Sequence, residues 1–216
     1  TMRTGYHFTI HPPLSAACAL MKPARLIRLM YTDPDLVHAF FRKLMAEKVK
    51  LHEYEEKLLG RRERGLYLAD DNMLMLTPEQ YREFEMPYVK ELYNKFGPER
   101  RTLHGDGPND HLFGILVDEV RATDLDIGGY SSLEKASEEL NGKATFSGGM
   151  NCKDFYKGTT FEAVRSKINH CLYVAGNAGG FTLSVGGETY IGVDPQLLKM
   201  ATRYVKIVAK LPRDGF

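Results

Sequence analysis

The chain has 216 residues, of which 43% are hydrophobic and 26% charged, a composition typical of a globular domain with a substantial core. Its 29 lysines and arginines nearly balance 28 aspartates and glutamates, so overall charge favours neither nucleic acid nor an anionic membrane as a partner. No apolar run approaches the length of a membrane span, and the opening TMRTGYHFTI lacks the apolar core of a signal peptide.

Short apolar runs alternate with longer helical patterns along the chain, and most of the runs lead into Gly, Asp or Asn. Such runs are typical of buried parallel strands. We predict strands at residues 6–11, 65–69, 101–104, 124–128, 143–147 and 180–185.

Capping residues mark where the intervening helices begin. The predicted N-caps are Asp33, Thr77, Ser131, Thr159 and Asp194. A proline follows three of them and suits the first helical turn. Pro87 falls inside the second of these helices and predicts a kink, and Gly97 suits its end. We expect the helical histidines, His38, His52 and His170, at the surface.

Strands alternating with helices predict βα units and a parallel sheet. No G-x-G-x-x-G follows an early strand and no G-x-x-x-x-G-K-[ST] occurs, which argues against a nucleotide-binding doubly wound fold. We therefore predict an α/β fold of the (β/α) TIM-barrel type, forming one domain over residues 1–216. About six of the eight units of a complete barrel are visible, so the predicted barrel is incomplete. Its open edge predicts self-association near residues 6–11.

Polar residues and glycines follow the predicted strands, where barrels of this type place their catalytic groups. The catalytic candidates are Asp70, Asp71 and His104. The substrate-binding candidates are His7, Gly128, Tyr130, Gly149 and Asn151. His11 ends the same strand that His7 begins. Two alternatives stay open. Asp70 or Asp71 could only cap the turn after its strand, and His7 could be packed in the core.

The stretch LHGDGPNDH, residues 103–111, places two histidines and two aspartates after an apolar strand. His104 and Asp106 are two residues apart, so their side chains point to the same side, and Gly105 lets the backbone bend. With Glu188 from a later unit they would offer one nitrogen and two carboxylates to zinc, iron or manganese. The alternative is a hydrogen bond between His104 and Asp106 without a metal. Asp110 and His111, which end the stretch, are predicted to begin the next helix.

The order of several motifs resembles the uroporphyrinogen decarboxylase superfamily. These are TDPDLVHAFFRKLM, LADDNMLMLTPEQYREFEMPYVKELYNKFG, LHGDG, ATFSGGMNCKDFYKGTTFEAVRSKI, and GGFTLSVGG followed by VDPQLLKMATRYV. The resemblance covers essentially the whole chain and about the last two thirds of a family member. It implies a (β/α) barrel with its site at the carboxyl face. The superfamily includes the decarboxylase of haem biosynthesis and cobalamin-dependent methyltransferases.

The resemblance also implies where a metal would bind. Thiol-activating methyltransferases of this kind hold zinc through an H-x-C motif and a later cysteine. His104 matches the histidine, but Asp106 stands at the first cysteine and Gly187 at the second. The thiol-binding zinc site is therefore not intact. An oxygen-rich site of His104, Asp106 and Glu188 would suit a different substrate.

Three functions stay open from the sequence. We favour a methyltransferase-type enzyme that acts on a small molecule together with a corrinoid protein. The runner-up is decarboxylation of a porphyrinogen, although the late catalytic histidine of the decarboxylase also falls at Gly187, and the strand ends offer few cations for eight carboxylates. The third is a non-catalytic barrel fragment or binding subunit. Three widely spaced cysteines without a CxxC pair exclude a zinc ribbon and predict a cytoplasmic protein.

Overall fold

The computed structural model describes residues 9–60, 64–187 and 190–208. The strands are β1 (Thr9–Ile10), β2 (Gly65–Ala69), β3 (Arg100–His104), β4 (Asp124–Asp126), β5 (Thr145–Asn151) and β6 (Phe181–Gly186). The helices are α1 (Pro13–Cys18), α2 (Pro23–Thr32), α3 (Pro34–Leu59), α4 (Pro78–Gln80), α5 (Met86–Phe96), α6 (Leu133–Glu139), α7 (Phe161–Ala175) and α8 (Pro195–Val208). Between β3 and β4 the chain forms a 3₁₀ helix at Asp110–Leu112 and a π-helix at Ile115–Glu119. Helical segments therefore separate all the described strands along the chain, which confirms the predicted α/β class.

The chain divides into two compact units. The first contains Thr1–Gly105 and Gly114–Leu125, and the second contains Asp106–Phe113 and Asp126–Phe216. The prediction of one domain over the whole chain stays a prediction. Within the described ranges, no helix combines the length and apolarity that crossing a membrane requires.

Parallel strands form the sheet of the first unit. Thr9 in β1 lies beside Tyr67 in β2. β2 pairs with β3 along its whole length, ending with Ala69 beside His104. The residue before β4 donates its N–H to the carbonyl of Arg101 at 2.9 Å, so β4 begins beside β3. The predicted strand at residues 65–69 is confirmed residue for residue.

Helices α3 and α5 bury one side each in the core of the first unit. Asp33 accepts a hydrogen bond from the backbone N–H of Leu36, which confirms it as the N-cap of α3. His52, on the same helix, is only 2% exposed, and its ring lies 4.2 Å from that of Phe96. The prediction that His52 lies at the surface is therefore wrong, because its ring fills a space between two helices.

Pro87 is the second residue of α5, and helical residues run without a break from Pro78 through α5. Its missing N–H therefore removes one hydrogen bond from a helical run. The irregularity falls just before it, as a π-helical turn at Tyr81–Glu85. Thr77 is the N-cap of α4 as predicted, and with Gln80 it forms a capping box in which both hydrogen bonds are present. Helix α5 ends before Gly97, also as predicted.

In the second unit β5 and β6 pair in parallel, from Phe146 beside Phe181 to Asn151 beside Gly186. The N–H of Ile127 donates to a β5 carbonyl at 2.9 Å, so the chain leaving β4 runs beside β5. Within each unit the strand order therefore follows the chain order. Strand β5 ends at residue 151, where the sequence predicts residue 147.

Two predicted caps are displaced by one residue in the second unit. Ser132 caps α6, because the hydroxyl of Ser131 already bonds the Gly107 carbonyl and the Asn109 N–H. Thr160 caps α7 in place of the residue before it. Helix α8 begins at Pro195, directly after Asp194, as predicted.

Candidate active site

Polar side chains of the first unit gather at the carboxyl edge of β1, β2 and β3. Asp70 donates its N–H to the carbonyl of His104 at 2.8 Å, so the residues ending β2 and β3 are neighbours. Nδ1 of His11 lies 3.0 Å from the carbonyl oxygen of Ala69. The prediction that these strand ends share one edge is confirmed, since parallel strands point their carboxyl ends the same way.

His104 and Asp71 form the central pair at this edge. Nε2 of His104 lies 3.3 Å from Oδ1 of Asp71, and their side chains are 18% and 55% exposed. The ring of Tyr67 stacks on the imidazole, with centroids 6.1 Å apart. The pair can share a proton, or it can present one nitrogen and one oxygen to a divalent ion.

Asp70 lies fully buried behind that pair. Ser15 donates a 2.7 Å hydrogen bond to its Oδ1. Glu85, also fully buried, accepts the backbone N–H of Leu14 at 3.1 Å. Burial raises the pKa of Asp70 to about 6 and holds the pKa of Glu85 well above its usual range. Asp70 therefore ties α1 to the end of β2, and its catalytic role stays a prediction.

A cavity of about 550 Å³ opens in the first unit, a size that suits a small molecule. Its polar lining consists of His11, Ser15, Lys48, Asp71 and Asn72. Sequence reasoning missed Ser15, Lys48 and Asn72 in this lining. Lys48 was missed because it comes from α3 and not from a strand end. Its position four residues after Leu44, which also lines the cavity, places both on one face of the helix.

The second unit holds Asp106 and the remaining predicted residues. Oδ1 of Asp106 accepts the N–H of Gly187 at 3.1 Å. Gly128 packs closely here, since a Cβ on it would lie 2.8 Å from the same oxygen. His7 and Glu188 fall outside the described residues.

Tyr130 and Asn151, predicted to bind substrate, lie together in the second unit. Asn151 is 6% exposed, and its Oδ1 accepts the N–H of Lys153 at 2.9 Å. The ammonium of Lys153 lies 5.4 Å from the centre of the Tyr130 ring. Hydrogen bonding from Asn151 and then Lys153 lowers the pKa of the Tyr130 phenol. Gly149, with φ of 97°, packs against the Cys171 sulfur, where a Cβ would approach to 3.1 Å.

Comparison with known proteins gives three findings, which concern the family, two curated relatives and the fold. The family model "Uroporphyrinogen decarboxylase (URO-D)" matches residues 9–208. A uroporphyrinogen decarboxylase of Chlorobium phaeobacteroides is 25% identical over 188 residues, covering 83% of this chain and 51% of that protein. Another, of Xanthomonas campestris pv. campestris, is 24% identical over 216 residues, covering 92% and 59%. The chain therefore spans between half and three fifths of these curated relatives.

The third finding concerns the fold. A solved structure of a methyltransferase from Methanosarcina mazei superposes with a TM-score of 0.68 at 12% sequence identity. The match covers 93% of this chain and 58% of that protein. The likeness extends over nearly the whole chain, and at this identity it describes the fold alone.

Proposed function

The chain belongs to the uroporphyrinogen decarboxylase family, and from that membership we propose that it is a methyltransferase-type enzyme acting on a small molecule with a corrinoid protein. The observation that carries the proposal is the pairing of His104 with Asp71 at the strand edge. By resemblance, His104 stands where methyltransferases of this superfamily hold their metal. Three free cysteines, without a disulfide among the described residues, support a cytoplasmic location.

His104 and Asp71 fit a divalent metal, since they bring one imidazole nitrogen and one carboxylate oxygen within 3.3 Å of each other. Zinc, iron and manganese all accept this donor set. Asp106 and Glu188 stay the further ligands that the sequence predicts. A bound metal would polarise a methoxy or hydroxyl oxygen of the substrate. The stacked ring of Tyr67 limits how the imidazole can turn, and so helps to orient it.

The runner-up is decarboxylation of a porphyrinogen, the activity in the names of the curated relatives. Two observations weigh against it. Among the described residues that line the cavity, Lys48 alone carries a permanent positive charge, whereas eight carboxylates require several cations. Gly187 also occupies the place that the resemblance gives to the late catalytic histidine. A non-catalytic binding subunit is the third possibility, and the same experiments address it.

An absorbance titration with a methylated corrinoid protein tests the proposal. We expect the protein to alter the corrinoid spectrum, and we expect His104→Ala to abolish the change. His170→Ala is the matched control, because His170 pairs with Glu134 at 3.0 Å on the exposed surface of α7. Carbon dioxide release from uroporphyrinogen above the enzyme-free rate would establish the runner-up. Failure of both assays would favour the binding subunit.

A further inference from the structure

We propose that the cavity of the first unit binds a small hydroxycarboxylate, with its hydroxyl at His11 and its carboxylate at Lys48. That this molecule is the substrate of the enzyme rests on the proposed function. Binding itself requires neither a metal nor a corrinoid protein, so the two proposals can fail separately.

His11 presents an unused hydrogen-bond acceptor to the cavity. The strand register places Ile10 beside Leu68, so that His11 follows next to Ala69. The carbonyl of Ala69, 3.0 Å from Nδ1, can only accept a hydrogen bond. Nδ1 must therefore carry the proton, and in the neutral ring Nε2 is left as the acceptor. Nε2 has no hydrogen-bond partner among the described residues.

Lys48 presents an unused positive charge to the same cavity. It is half-buried on α3 and makes no ion pair with any residue in the described ranges. Two other lysines of α3 do form ion pairs, since Lys43 and Lys50 both contact Glu47 at 3.1 Å. Asp71, the acidic group in the lining, is already 3.3 Å from His104. A ligand carboxylate would supply the missing counter-charge.

Two other polar residues of the lining, Ser15 and Asn72, already form hydrogen bonds within the protein. Asn72 donates its side-chain N–H to the Ser15 hydroxyl at 3.1 Å, and Ser15 donates onward to Asp70. The rest of the lining is formed by Ala16, Cys18, Ala19, Leu20, Pro23 and Leu44. The cavity therefore matches a molecule with one hydroxyl donor, one negative charge and a small hydrocarbon body.

Calorimetric titration with three related probes tests this match. Mandelate has both groups, methyl mandelate lacks the charge, and phenylacetate lacks the hydroxyl. At constant ionic strength we expect saturable binding of mandelate. Methyl mandelate should bind about tenfold or more weakly, and phenylacetate about threefold to tenfold more weakly. Absence of saturable mandelate binding, or equal binding of the methyl ester, would overturn the proposal.

Two variants assign the contacts. Lys48→Met should bind mandelate and its ester equally, while Lys50→Met, the matched control on the same helix, should bind as the unaltered protein does. His11→Asn keeps an N–H for the Ala69 carbonyl but has no Nε2, so it should no longer distinguish mandelate from phenylacetate. Equal effects of the two lysine substitutions would contradict the assignment.

A measurement on the unaltered protein covers the case in which His11→Asn does not fold. The ¹⁵N signal of Nε2 should have the position of an unprotonated nitrogen and should move on addition of mandelate. Phenylacetate should leave it in place. A protonated Nε2 at neutral pH, or an equal response to both probes, would remove His11 from the proposed site.

Discussion

Nε2 of His104, the last residue of β3, lies 3.3 Å from Oδ1 of Asp71, the second residue after β2. If this pair holds a metal, the purified protein should carry a stoichiometric amount after incubation with zinc, iron(II) or manganese and removal of excess. His104→Ala should lose it, since a site with few protein ligands does not survive the loss of its nitrogen. Elemental analysis measures the content directly.

Two comparisons complete the metal experiment. Asp106→Ala tests the ligand that the sequence predicts beside His104. His170→Ala removes an exposed histidine that also pairs with a carboxylate, and its metal content should equal that of the unaltered protein. A metal-free protein under all three conditions would leave His104 and Asp71 as a hydrogen-bonded pair.

The buried carboxyl of Asp70 predicts a pH-dependent stability. Its pKa is about 6 in the folded protein against 3.8 ordinarily, so the folded state binds the proton more tightly. Stability from this group is complete below about pH 4 and is lost as the pH rises through about 6. The difference in pKa corresponds to about 3 kcal/mol of unfolding free energy. Glu85, whose pKa is also raised, acts in the same direction.

Denaturant unfolding of Asp70→Asn between pH 4 and pH 7 tests this assignment. The amide resembles the neutral acid and can still accept from Ser15, so the free energy of unfolding should fall less with rising pH than in the unaltered protein. Glu138→Gln, an exposed change on α6, should leave the pH profile unaltered. A profile for Asp70→Asn that parallels the unaltered protein would show that folding does not raise the pKa of Asp70.

Gly186 should tolerate no side chain. A Cβ there would lie 2.4 Å from the Cα of Gly128, so backbone would have to move. We expect Gly186→Ala to lower the free energy of unfolding by about 2 kcal/mol or more. Gly179→Ala is the control, because its Cβ would meet nothing within 4 Å and the change should be nearly neutral. Equal denaturation midpoints for the two variants would refute the steric argument.

Self-association stays a prediction from the incomplete barrel. An edge strand offers unpaired backbone groups to a second chain, and β1 has the described partner β2 on one side. Light scattering over a range of protein concentrations should therefore detect a species larger than one chain. A single monomeric mass at the highest concentration would count against it.

The strand edge of the first unit could be predicted from sequence, because parallel strands that end in polar residues bring those residues to one side. Lys48 and the burial of His52 could not, since both depend on how α3 is rotated against its neighbours. The shifted caps at Ser132 and Thr160 show a related limit. Adjacent Ser or Thr residues offer equivalent hydroxyls, and at Ser131 tertiary hydrogen bonds engage the hydroxyl and leave the cap to its neighbour.

The number of residues in the π-helical turn at Tyr81–Glu85 matters more for α5 than their identity, because that number sets the rotation of the helix. Such a turn accommodates one extra residue, and each residue of an α-helix advances about 100° around its axis. Helix α5 buries Val89, Leu92 and Phe96 and packs against β2, and the extra residue changes the rotation at which it does so. Deleting a single residue from the turn would swing this side toward solvent even if every remaining side chain were kept. A one-residue deletion should therefore be far more harmful here than a conservative replacement.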